Sequence, residues 1–151
     1  VVIGEKSANE ENVAIKLDHG DACHGYTLSG VVVDRVIKNA TEADVAPGDT
    51  ITVLENQFTY TDKDANLLVY HINQYRLMEP GSKYYLFLGY SDYDKCYYVI
   101  SGLFGKIPVS EEELLIYPSS EISYVEGQPK EDDSELLQIM DKLRTECLER
   151  Y

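Results

Sequence analysis

Tyr26–Lys38 reads "YTLSGVVVDRVIK". It is long for a strand and dense in β-branched residues, which pack well on a pleated surface. Its interior holds Gly30, and a glycine inside a strand marks a bulge or a sharp bend. A long strand that bends midway can serve two sides of a small closed barrel.

Upstream of it, Val1–Gly4 reads as a short strand, Ser7–Asn12 as a polar loop and Val13–Leu17 as a second short strand. Asp18–Gly25 ("DHGDACHG") reads as another loop, with two glycines among polar residues. Downstream, a loop closes on Pro47-Gly48, and Thr50–Glu55 ("TITVLE") alternates with Ile51 and Val53 on one face. Gln57–Asn66 reads as a polar loop and Leu67–Ile72 as a strand. A second Pro-Gly pair, Pro80-Gly81, precedes Lys83–Tyr90 ("KYYLFLGY"). Proline fixes φ at position i+1 of a turn and glycine supplies the positive φ that a type II turn needs at i+2. In Lys83–Tyr90, Tyr84, Leu86 and Leu88 point one way, Tyr85 and Phe87 the other. Both faces are apolar, so the strand is expected to be covered on both sides. Ser91–Lys95 reads as a hairpin loop, Cys96–Ser101 as the returning strand, and Gly102–Ser110 as a turn and a short strand. Tyrosine suits such a hairpin, because the ring packs across strands while the hydroxyl reaches water.

The chain ends in "DDSELLQIMDKLRTECLERY". Leu136, Met140, Leu143 and Cys147 recur at helical spacing, acids fill the first turn, and Asp132, Asp133 or Ser134 can cap it. This predicts a one-faced amphipathic helix over about 133–149, docked on the core. The expected organisation is mainly β: a single OB-like barrel, closed or partly open, over residues 1–110, then an acidic extension over 111–151 that carries the helix.

Composition narrows function. The chain of 151 residues has 27 acids against 13 bases, a formal charge of −14. Nucleic-acid binding rests on Lys and Arg displacing counterions, so this balance argues against it. No apolar run is long enough to span a membrane. The three cysteines, Cys23, Cys96 and Cys147, form no C-x-x-C and no even framework, and are expected to be free and buried, with one bridge between an unspecified pair as the alternative.

The order of the signals resembles the OB-type barrel of the netrin-like and metalloproteinase-inhibitor-like superfamily, as also found in secreted proteins and lipoproteins of bacteria. The resemblance rests on "VVIG" (Val1–Gly4), "VVVDRVIK" (Val31–Lys38), "PGDTITV" (Pro47–Val53), "LMEPGSKYYLFL" (Leu77–Leu88) and "GKIPV" (Gly105–Val109), and covers residues 1–110. It implies an extracellular or envelope-attached protein whose leader has been removed, with a lipid anchor upstream as one form of attachment. The opening at Val1 rather than Met fits that expectation; a cytoplasmic setting is the alternative. The inhibitors of this superfamily resemble one another in an N-terminal cysteine that grips a protease zinc. Val1 stands there instead and the family's disulfide set is absent, so that mechanism does not carry over.

Motifs for chemistry are sparse. No G-x-S-x-G, H-E-x-x-H, phosphate loop or dinucleotide fingerprint occurs, and no cofactor is implied. His19, Cys23 and His24, with Asp18 or Asp21, are the densest set of metal-ligand types, at no standard zinc spacing. Asp62–Asn66 ("DKDAN") resembles part of a calcium loop without its glycine and closing Glu, and reads as a solvated turn. Tyr60 and Tyr93, on loops that read as polar, are the candidate contact residues, since a ring with a hydroxyl suits a protein or glycan partner. The function expected is therefore a non-enzymatic binding module. The alternatives are a hydrolase or metal-dependent enzyme with a site no motif marks, and a peptidase-inhibitor-like protein.

Overall fold

The computed structural model describes residues 1–16, 22–40, 43–118 and 132–151, without the side chains of Ala22 and Cys23. The chain is mainly β. Strands β1 (Val2–Lys16), β2 (Ala22–Val36), β3 (Thr50–Glu55), β6 (Lys83–Leu86), β7 (Leu88–Ser91), β8 (Cys96–Val99) and β9 (Lys106–Pro108) form one seven-stranded sheet in the order β7-β8-β3-β2-β1-β6-β9. Strands β4 (Gln57–Thr61) and β5 (Leu67–His71) form a separate hairpin. A 3-10 turn covers Gly102–Gly105, and helix α1 runs Ser134–Arg150.

The sheet is curled. β6 and β7 are separated only by Phe87, yet β6 pairs with β1 while β7 pairs with β8 at the other flank. One bent segment thus joins two distant parts of the sheet. β3 and β8 run parallel, with Val53 opposite Tyr97, while the other pairs are antiparallel. The result is a half-barrel, not a closed barrel.

The long bent strand is present, beginning four residues earlier than its sequence suggests. Ala22–Gly25 belongs to β2 rather than to a loop, because it pairs with Ala14–Lys16 of β1. The first sixteen residues likewise need correcting. They form one strand, not two strands around a loop: Lys6 pairs with Val31 and Glu10 with Ser29, so Ser7–Asn9 face Gly30 alone as a bulge. That bulge explains Gly30, since a Cβ there would lie 2.6 Å from the Ser7 hydroxyl oxygen. The polar composition of Ser7–Asn12 reflects exposure, not absence of pairing. Gln57–Asn66 is also corrected, because its first half is β4. Phe58 anchors it, packing over Gly25 where a Cβ would meet the ring at 2.5 Å, and Asn12 clips it by bonding both the N–H (2.7 Å) and the carbonyl (2.9 Å) of Thr59.

Two Pro-Gly turns behave as read. Gly48 and Gly81 have φ of 94° and 84°, and the turns close through Asp49 N–H to Ala46 and Ser82 N–H to Glu79, both at 3.1 Å.

Two apolar layers sandwich the sheet. Inside the curl lie Val2, Val31, Val33, Ile51, Val53, Met78, Tyr84, Leu86 and Val99. Outside lie Tyr85, Leu103, Ile107, Leu115 and Ile116 with Met140 and Cys147 of α1. Tyr84 and Leu86 face one layer and Tyr85 and Phe87 the other, so β6 is covered on both sides. On α1, Met140 is the deepest residue, while Leu136 and Leu143 pack at its margin. Asp133 is the N-cap, and Asp132, one residue further out, accepts the Ser134 N–H at 2.9 Å. Cys96 and Cys147 are buried free thiols.

Candidate functional site

Inward-facing positions of β1, β2 and β3 carry polar side chains at one end of the half-barrel. Alternation brings Lys6 in line with Val2, Ser29 with Val31 and Val33, and Glu55 with Ile51 and Val53. The three meet as a network. Ser29 Oγ donates to Glu55 Oε1 at 2.5 Å, and Lys6 Nζ donates to Ser29 Oγ and to Glu10 Oε2 (3.0 Å). Lys6 Nζ is 3.6 Å from Glu55 Oε1. Glu55 Oε2 accepts the Tyr75 hydroxyl at 2.9 Å and the Met78 N–H at 3.0 Å. Burial and the neighbouring Glu55 carboxylate push the Tyr75 phenol well above its usual value.

Lys106 joins this cluster from β9. Its ammonium donates to the Arg76 carbonyl and lies over the Tyr75 ring at 4.4 Å. Burial lowers its pKa from 10.5 to about 8. Such a perturbed lysine invites a catalytic reading. Yet Lys6, Ser29, Glu55, Tyr75 and Lys106 are all buried, with Glu55 at 0% exposure. The network braces the interior. Nearer the surface, Tyr84 donates to Glu113, whose carboxyl is raised to about 6, mainly by burial.

Tyr60 and Tyr93, the candidate contact residues, are not brought together. Tyr60 lies in β4 rather than on a loop. It pairs with Leu68 and its ring sits 5.9 Å from that of Phe58. Tyr93 is on the β7–β8 loop and 95% exposed. Because β8 runs parallel to β3, that loop lies toward the Thr50 end, whereas β4 begins beyond Glu55. The two tyrosines therefore flank opposite ends of β3. His19, with Asp18 and Asp21, lies outside the described residues, as does the side chain of Cys23. His24 is exposed on β2, opposite Ile15 and 6.1 Å from the Tyr26 ring. Among the described residues no three metal-ligand side chains converge. Asp62 accepts from the N–H groups of Asp64 and Asn66 and from the Asn66 side chain, which lowers its pKa and makes "DKDAN" a self-closed turn.

The surface feature that sequence reading did not isolate is β5. It pairs with β4, and with no other strand among the described residues. Leu67, Leu68, Val69, Tyr70 and the following Ile72 are all exposed, Leu67 to 72%. An apolar edge strand with one free side is a template for pairing with another chain. "LLVYH" was legible as a strand, but nothing local distinguishes a strand in a core from one at an open edge. No helix among the described residues is long and apolar enough to cross a membrane. No family model, no curated protein and no solved structure matches this chain.

Proposed function

We propose that this chain is a non-enzymatic binding module of OB type, acting at the cell envelope or outside the cell, which takes an extended segment of a partner protein along β5. The OB assignment is supported by the curled, open run β7-β8-β3-β2-β1-β6, with its parallel β3–β8 pair. The envelope setting rests on the resemblance of the quoted motifs. The observation that carries the binding reading is the exposed apolar edge of β5. Strand addition uses backbone hydrogen bonds for affinity and alternate side chains for specificity. Asp62 and Asp64, with Lys63 between them, leave the hairpin turn net negative, which favours an apolar segment with a basic flank. An enzymatic reading has less support, since the perturbed Lys106 and the neighbouring Glu55 are both buried.

The test is capture from the source organism's envelope and secreted fractions by wild type, Leu67→Lys/Val69→Lys and Tyr93→Ala. Both lysines replace exposed side chains, so the melting temperature should hold. Wild type and Tyr93→Ala should capture the same protein, and the double lysine variant should lose it. Equal capture by the double variant, no capture by wild type, or reproducible turnover of a substrate would each overturn the proposal.

A further inference from the structure

A cleft of about 460 Å³ lies between the turn that follows β5 and the 3-10 turn, with Leu136 of α1 at its side. This is within the size range of small-ligand sites. Its backbone is unusual. Asn73, Gln74, Ser101 and Gly102 all have positive φ, of 50°, 59°, 58° and 54°. Three of them are not glycine, and side chains resist this conformation; such positions gather where the surrounding structure holds a site in shape. The Gln74 amide is itself held, donating to the Tyr117 carbonyl at 2.9 Å and to Asp133 Oδ1 at 2.8 Å.

The chemistry of the lining is selective. No lining side chain carries a charge, although the chain as a whole is strongly acidic. Among the described residues, no hydrogen bond engages the side chains of Asn56, Asn73 or Ser101. Phe104 is 40% exposed at the same cleft. Neutral amides and a hydroxyl give paired donors and acceptors. An exposed ring offers an apolar face beside them. Phosphates and carboxylates would find no cation here. A pyranose ring, with hydroxyls at its rim and C–H bonds on its face, matches both halves of the lining.

We infer that this cleft is a carbohydrate site for a neutral sugar, with Phe104 as the stacking platform and Asn56, Asn73 and Ser101 as hydrogen-bonding groups. It does not depend on the β5 proposal: Ile72 borders both surfaces, but Asn56, Asn73, Ser101 and Phe104, which carry the sugar reading, lie outside β5.

The experiment titrates the protein with cellobiose, maltose, lactose and N,N′-diacetylchitobiose, and with glucose 6-phosphate as a charged comparator, following amide resonances by NMR. At least one neutral disaccharide should give saturable shifts centred on Asn56, Asn73 and Ser101–Phe104. Phe104→Ala should weaken that binding at least tenfold. Asn73→Gly should also weaken it at least tenfold, because glycine keeps the positive φ while deleting the amide; its melting temperature should be unchanged or higher. Absence of saturable shifts with every neutral sugar would overturn the assignment. So would equal affinity in both variants, or binding of the phosphorylated sugar alone.

Discussion

Lys106→Met removes a buried ammonium while keeping an unbranched apolar stem. In the folded chain Lys106 titrates near 8, against 10.5 when unperturbed, because burial disfavours its charge. Between those values the unfolded chain holds a proton that the folded chain has released. Stability therefore rises with pH through this window, as linkage requires when the unfolded state binds more protons. At pH 7 both states are protonated, and the depressed pKa costs the folded state about 3 kcal/mol at 1.36 kcal/mol per unit. By pH 10 most of that cost is gone, so wild type should gain about 2 to 3 kcal/mol relative to Lys106→Met between pH 7 and pH 10. Urea unfolding at pH 7, 8, 9 and 10 measures the difference. Far-UV circular dichroism is the suitable probe, since the chain has no Trp and tyrosine emission changes as phenols ionise. Both proteins share every other titrating group, so subtracting their stabilities isolates Lys106. A difference that stays flat with pH would refute the argument that this ammonium is held in a desolvated site. The variant also leaves the Arg76 carbonyl without its donor; that shifts the difference by a constant and leaves its slope unchanged.

Met140→Ala should destabilise by about 2–5 kcal/mol, because Met140 is fully buried between α1 and the sheet; thermal unfolding matching the parent would show that the helix is not docked. Glu113 has a folded pKa raised from 4.5 to about 6, so the folded chain binds more protons in that interval and stability falls as pH rises through it. Glu113→Gln should flatten that fall, and urea midpoints at pH 4.5, 5.5 and 6.5 in the two proteins measure it.

Much of the architecture was legible along the chain, because it is encoded in local chemistry. The β-branched run of Val31–Val36, the alternation of Thr50–Glu55 and the two Pro-Gly pairs each carry their geometry in adjacent residues. So does the helical spacing of Leu136, Met140, Leu143 and Cys147. Even the double-sided cover of Tyr84–Phe87 was readable, since both parities are apolar. Where the local signal was weak, pairing overrode it: Ser7–Asn12 and Gln57–Thr61 look like loops by composition, and they are strands because a partner strand or Gly25 receives them. A clue to the buried network was present but required registers to read. Lys6, Ser29 and Glu55 sit at the inward parity of three strands, in line with Val2 and Gly4, with Thr27, Val31 and Val33, and with Ile51 and Val53.

The sequence by itself determined the class of structure, the strand-rich order, the turns and the amphipathic helix, because propensity and periodicity act over a few residues. Only the tertiary structure decided which charges are buried, which strand is left with an open edge and which turns enclose a neutral cleft. Lys6 meets Glu55, Lys106 meets Tyr75, and Asn73 lines the same cleft as Ser101, across tens of residues of chain. Desolvation, edge exposure and cleft shape are properties of that assembly, and no single segment contains them.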